Sequence, residues 1–171
     1  MTLANALSIL RLVLAPGVVY AILTGQDLVV LALLAGAAVT DVLDGWVARS
    51  TGKVSRLGIV LDPIADKMVI GAALLGSALI GRLPAWLVWV YLLKELAVVS
   101  GAAVFFVRLG APIKSNRYGK TSTAVTFAGL FLLWRGVRAG WWVVLAGLVI
   151  GIAAALSYLR IGLHEERAKG A

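Results

Sequence analysis

The sequence predicts an all-α integral membrane protein, a bundle of six transmembrane helices with both termini cytoplasmic. Three observations carry that expectation. The chain has 171 residues, of which 61% are hydrophobic, and its mean hydropathy of +0.99 exceeds that of any soluble domain of this size. Apolar runs of spanning length follow one another with no polar linker, so residues 1–171 read as one domain. The charges fall mainly in the short loops between runs, where a membrane protein carries them.

The elements follow from hydropathy and turn chemistry. A first span covers about 5–24, with Arg11 near its start and Pro16 inside. Gly25-Gln26-Asp27 turns into a second span, about 28–49. The basic loop Ser50–Leu57 leads to a third, about 58–80, and Gly81-Arg82-Leu83-Pro84 to a fourth, about 85–107. A longer basic loop, Arg108–Tyr118, precedes a fifth span at about 119–134. Arg135–Gly140 then leads to a sixth at about 141–160, followed by a charged tail. Trp86, Trp89, Trp134, Trp141 and Trp142 gather near span ends on one side, as an aromatic belt does. The N-terminus lacks a basic n-region, and Asn5 and Arg11 interrupt its apolar run. The first helix is therefore expected to stay in the mature protein.

Lys and Arg set the orientation. Arg11, Arg49, Lys53, Arg56, Arg108, Lys114, Arg117, Lys120, Arg160, Arg167 and Lys169 fall on one side, against Arg82, Arg135 and Arg138 on the other. The positive-inside rule makes the first side cytoplasmic. The net charge of +8 thus reads as topology and as attraction to anionic lipids and phosphorylated substrates, not as a nucleic-acid surface. With no cysteine, neither a disulfide framework nor a thiolate metal site is available. The single histidine, His164, reads as a solvated tail residue.

Half of the eight acidic residues sit in two pairs inside apolar runs: Asp41 with Asp44, and Asp62 with Asp66. A carboxylate at the bilayer centre costs about 2.5–3.5 kcal/mol on insertion scales, which argues for a function. Spacings of three and four residues put each pair on one helix face. Two such faces opposed make an all-oxygen cage for divalent cations. Each pair also lies a few residues from a basic loop. At about 1.5 Å per residue all four lie within a few turns of the cytoplasmic surface. The structural alternative, pairing with Lys67, Arg49 or Arg56, stays open alongside.

The stretch Asp41-x2-Asp44-Gly45-x2-Ala48-Arg49-x8-Gly58-x3-Asp62-x3-Asp66 resembles in full the signature of the CDP-alcohol phosphatidyltransferase family, eight fixed positions at fixed spacing. Asn5-x2-Ser8-x2-Arg11 is similar to that family's N-terminal element, so the likeness covers essentially the whole chain. It implies transfer of a phosphatidyl group from CDP-diacylglycerol to an alcohol with release of CMP, as a step of phospholipid biosynthesis. It further implies Mg2+ or Mn2+ in a two-metal site held by Asp41, Asp44, Asp62 and Asp66, with Asp66 also the general base. Asn5, Ser8, Arg11, Asp44, Gly45, Ala48, Arg49 and Gly58 are the implied nucleotide and CDP-lipid contacts. A homodimer completes what the resemblance implies, while the depth of the aspartates beside the basic loops puts the active site facing the cytoplasm. Each contact has a structural reading beside it. Gly45, Ala48 and Gly58 could pack small against small, Arg49 could be a positive-inside flank, and Arg11 could snorkel.

Three residues bear on the acceptor. Lys94 lies beside Glu95 near the middle of the fourth span, either as a buried pair or lining the acceptor cavity. Lys94-Glu95 resembles the Arg-Glu of the phosphatidylglycerophosphate synthases of this family, although Ala102 stands where those enzymes often carry a further Arg. Arg117 and Lys120 flank the start of the fifth helix, a segment similar to one in the same synthases and in cardiolipin synthases. A helix N-terminus with Arg and Lys suits an acceptor phosphate, and it equally suits a basic loop. The expected acceptor is sn-glycerol 3-phosphate, a small phosphorylated alcohol. Phosphatidylglycerol and an inositol phosphate are the alternatives within the family, and a divalent cation transporter is the remote one.

Overall fold

The computed structural model describes the backbone of residues 3–51, 56–109 and 117–170. Within those ranges, the side chains of 3–5, 42, 44–51, 56–63, 66, 102–103, 105–109, 117, 158 and 161–170 lie outside the description. The described chain forms six α-helices: α1 Leu3–Leu23, α2 Asp27–Thr51, α3 Arg56–Leu79, α4 Ala85–Leu109, α5 Arg117–Trp134 and α6 Gly140–Gly170. All six expected elements are present as helices, most with ends within two residues of those read from hydropathy. The large difference is α6, which continues well past the apolar run to Gly170. Hydropathy marks where a helix would leave lipid, whereas the tail's Ala, Leu, Glu and Arg are strong helix formers in water.

Two turns show why the helices stop where they do. Gly25 has φ 72° and Gly81 φ 74°, left-handed values that cost a residue without Cβ little. After α1, the Gln26 N–H donates to Ala21 O at 2.9 Å and the Gly25 N–H to Ile22 O at 3.1 Å. After α3, the Arg82 N–H donates to Ser77 O at 2.8 Å and the Gly81 N–H to Ala78 O at 3.0 Å. Both are Schellman caps, which satisfy carbonyls that the helix end would otherwise orphan.

Packing divides the chain into two units, Met1–Val88 with Trp134–Val137, and Trp89–Leu133 with Arg138–Ala171. In the first, α1 packs most extensively on α3 and also on α2. The buried stripe of α1 is Ser8, Arg11, Ala15, Val18 and Ile22, a three-four spacing that is apolar at one end and polar at the other. Val30, Leu34 and Ala37 form the matching stripe of α2, and Ala65, Val69, Ile70, Ala73 and Leu74 that of α3. Gly76 lets α1 close on α3: a Cβ there would lie 2.8 Å from the Ile22 Cδ1.

Trp134 departs from the expected belt. Trp86, Trp89 and Trp142 are exposed, but Trp134 is buried, and its Nε1–H donates to Ser77 Oγ at 3.1 Å. A buried indole needs such an acceptor. The Arg82 guanidinium lies 4.0 Å from the centroid of the Trp134 ring, and its Nη2 donates to both oxygens of Asp27, at 2.9 and 3.1 Å. Because both ion-pair partners are partly exposed, Arg82→Ala should cost only about 1 kcal/mol. Thermal unfolding in detergent should show that loss shrinking at high salt. A loss that salt leaves unchanged would assign it to the ring contact instead.

Two helices carry windows long and apolar enough to cross a membrane, Ala6–Leu23 and Gly140–Ser157, and Lys67–Leu79 is a shorter apolar stretch. These windows are drawn from the described residues alone.

Candidate active site

The signature divides between two helices. Positions 41, 44, 45, 48 and 49 lie in α2, and positions 58, 62 and 66 in α3. Register explains the placement. In α2 the buried stripe 30, 34, 37 reaches 41 and then 44 with the same three-four spacing. In α3 the positions 62, 66, 69 and 73 run in one such series. The four signature aspartates therefore occupy positions that continue the spacing of the core stripes. The side chains of Asp44, Gly45, Ala48, Arg49, Gly58, Asp62, Asp66 and Asn5 lie outside the described residues.

Asp41 is the one of the four signature aspartates whose side chain is described. It sits where the α2 stripe meets the polar end of α1, and Arg11 Nη1 donates to its Oδ1 at 3.3 Å. The two side chains differ sharply in exposure, 1% for Arg11 against 59% for Asp41. The cation is thus fixed within the helix packing, while the carboxylate it holds is open to the surroundings. Ser8, one turn before Arg11 on the same stripe, is also fully buried. Arg11 and Ser8, read from the sequence as nucleotide contacts, are both placed inside the packing of α1, and Arg11 is placed directly on Asp41.

An exposed carboxylate with one oxygen left open is a hard oxygen donor of the kind that Mg2+ or Mn2+ takes. Asp41 therefore fits the metal role. Among the described residues no three His, Cys, Asp or Glu side chains gather to hold a metal, and three of the four aspartate side chains lie outside that description.

The acceptor candidates belong to the second unit. Lys94 Nζ lies 2.5 Å from Glu95 Oε1, with both side chains largely buried, and 4.8 Å from the Tyr91 ring centroid. A Cβ on Gly151 of α6 would lie 2.8 Å from the same Nζ and 2.5 Å from Ser122 Oγ of α5. Lys94 therefore occupies a notch that only glycine leaves open. Lys120 stands exposed in the first turn of α5, and Arg117, which opens that helix, lies outside the described side chains.

The notch belongs to a longer seam that hydropathy does not reveal. Gly129 faces Val144, Gly140 faces Leu133, Gly147 faces Thr126 and Gly151 faces Ser122, so α5 and α6 run antiparallel at very close approach. The Ser122 hydroxyl donates across it to Gly147 O at 2.7 Å. Gly147-x3-Gly151 is the sequence signal that marks such a seam.

Comparison with known proteins places the sequence in a family. The family model for CDP-alcohol phosphatidyltransferase matches residues 1–156. A probable phosphatidylglycerophosphate synthase of Mycobacterium tuberculosis is 36% identical over 137 residues, 77% of this chain and 66% of the relative. A CDP-diacylglycerol–glycerol-3-phosphate 3-phosphatidyltransferase of Aquifex aeolicus is 32% identical over 139 residues, covering 80% of this chain and 76% of the relative. A probable cardiolipin synthase (CMP-forming) of Drosophila melanogaster is 34% identical over 120 residues, 69% of this chain and 37% of the relative. The chain thus spans just under two thirds of the mycobacterial relative and little more than a third of the fly one. With the signature on α2 and α3 and the match running from α1 into α6, the chain belongs to the CDP-alcohol phosphatidyltransferase family.

Proposed function

We propose that the protein transfers the phosphatidyl group of CDP-diacylglycerol to sn-glycerol 3-phosphate, releasing CMP and forming phosphatidylglycerophosphate. The observation that carries this reading is the match to the Aquifex aeolicus transferase, which is so named and aligns over most of both chains. The Drosophila melanogaster cardiolipin synthase favours a second reading, with phosphatidylglycerol as acceptor.

In the reaction the acceptor hydroxyl forms a new P–O bond at the phosphorus that bears diacylglycerol. The bond from that phosphorus to CMP breaks, and CMP carries off the electron pair. Asp66 takes the hydroxyl proton. Asp41, Asp44, Asp62 and Asp66 would hold two divalent ions, which supply charge neutralisation at the phosphoryl oxygens. Asn5, Gly45, Ala48, Arg49 and Gly58 shape and bind the nucleotide end, with Ser8 acting from inside the α1 packing. Gly45, Ala48 and Gly58 leave room on their helices, and Arg49 supplies positive charge for the diphosphate.

All six helices span the membrane in this reading, with the termini and the site on the cytoplasmic side. Helices of 24 and 25 residues, such as α2, α3 and α4, reach about 36 Å or more, enough for a hydrocarbon core of about 30 Å. The Lys and Arg asymmetry supports the orientation. A homodimer is the expected assembly.

The deciding experiment supplies purified protein with CDP-diacylglycerol and separate acceptors, following CMP. Release with glycerol 3-phosphate supports the first reading. Release with phosphatidylglycerol alone would transfer the assignment to the second.

Within the first reading, Lys120 and Arg117 bind the acceptor phosphate, and Lys94 helps to line its cavity. Lys120→Ala should raise the KM for glycerol 3-phosphate about tenfold, the effect of losing a charge-assisted hydrogen bond of about 1.5–3 kcal/mol. CDP-lipid binding and thermal stability should stay close to wild type. Lys94→Ala should differ, because it removes the buried cation beside Glu95 and should lower the unfolding temperature as well. An unchanged KM in Lys120→Ala would remove that residue from the acceptor site.

A further inference from the structure

We propose that Arg11 is a positioning residue for the metal ligand Asp41: a resident counter-cation that holds the carboxylate while no metal is bound and lowers the affinity of the cage for metal. The proposal rests on the reading that the aspartates bind divalent ions. Three observations carry it. Arg11 is 1% exposed, so its charge is fixed in the packing of α1 and cannot move off into solvent. Its contact with Asp41 is through one nitrogen and one oxygen at 3.3 Å, long for a charge-assisted hydrogen bond. Asp41 is 59% exposed, so the carboxylate is reachable from the side away from Arg11.

Two opposed effects follow. By restraining one oxygen, Arg11 reduces the rotational freedom that Asp41 must lose when it takes a metal. By placing a positive charge within a few ångströms of that metal, it repels it. The first effect involves the rotamers of one short side chain. The second is a unit charge, itself buried and fixed in the packing, acting on a divalent ion a few ångströms away, and it is the larger. Repulsion therefore wins, and the sign of the effect separates this role from two others. A residue that merely supports the fold would, when removed, loosen the cage and weaken metal binding. A nucleotide contact would, when removed, weaken CDP binding whether or not metal is present.

The test is Mn2+ binding to the full chain in detergent, stripped with EDTA and titrated by electron paramagnetic resonance, without nucleotide. Arg11→Met, which keeps bulk and removes charge, should bind Mn2+ about tenfold more tightly than wild type, a usual size for coupling between two sites. Arg11→Lys, which keeps the charge, should stay close to wild type. CDP binding measured in EDTA should be the same in all three proteins. Should Arg11→Met fail to insert, Arg11→Gln takes its place with the same expected tightening. Unchanged or weaker Mn2+ binding in the uncharged variant overturns the proposal, and so does a loss of CDP binding in EDTA. Asp62→Asn separates the underlying reading. If wild type binds no Mn2+, or Asp62→Asn binds it as well as wild type does, the metal assignment itself fails and the proposal falls with it. If Asp62→Asn loses Mn2+ while Arg11→Met matches wild type, only the proposal falls.

Discussion

In EDTA, CMP release should fall to background, and added Mg2+ or Mn2+ should bring it back. The loss should be at least about 10³-fold, because charge neutralisation by metal supplies several kcal/mol of transition-state stabilisation. Asp41→Asn and Asp62→Asn should reproduce the loss at any metal concentration. Asn keeps the shape of the side chain and one carbonyl oxygen but not the charge that a hard divalent ion requires. The two variants should differ in a second respect. Asp41→Asn also deprives buried Arg11 of a carboxylate at 3.3 Å, so it should unfold at a lower temperature than wild type in the metal-free state. Circular dichroism and thermal unfolding, measured beside CMP release, separate lost chemistry from lost fold. Full turnover in chelator would end the two-metal reading.

Gly147→Ala should be among the most destabilising single-methyl changes in the chain. A Cβ at that position would lie 2.7 Å from the Thr126 N and 3.0 Å from its Cα, on backbone that no rotamer change can move. The helices α5 and α6 must then separate, and the Ser122 hydrogen bond to Gly147 O at 2.7 Å opens with them. Overpacking of this kind costs about 1–3 kcal/mol, and the lost hydrogen bond adds to it. Gly36→Ala supplies the control, since nothing lies within 4 Å of its would-be Cβ in α2. There the better helix propensity of Ala should leave stability equal or slightly raised. Thermal unfolding of both variants in detergent measures the contrast, and equal midpoints would show that the seam is looser than its geometry states.

Local signals carried most of the helical architecture. Gly25 and Gly81 punctuate the apolar runs where the chain turns, so α1 and α3 end where composition alone suggests. The signature residues, too, were legible, because Asp41, Asp44, Asp62 and Asp66 are out of place in apolar helices and share helical spacing. What the sequence did not reveal depends on which helices meet. Arg11 and Asp41 are thirty positions apart, and only the packing of α1 on α2 makes them partners. Trp134 looks like any belt residue until Ser77 and Arg82 are found against it. Gly147 and Gly151 look like two of nineteen glycines until α5 is laid against them. The end of α6 escaped for a different reason, since hydropathy reports the limit of an apolar environment and the helix has no need to stop there.

The polar end of the α1 stripe has a consequence for biosynthesis. Arg11 emerges from the ribosome thirty residues before Asp41. At about 5–20 residues per second, that is a delay of about 2–6 s in which the charge cannot meet Asp41. During that interval α1 is a strongly apolar segment with an ion near one end, best held at the headgroup level where Arg11 stays hydrated. Its final seat becomes available only when α2, and then α3, are made. Replacing Arg11 with an apolar residue would release α1 to enter the bilayer core earlier, so the timing of its integration should be set by this one side chain.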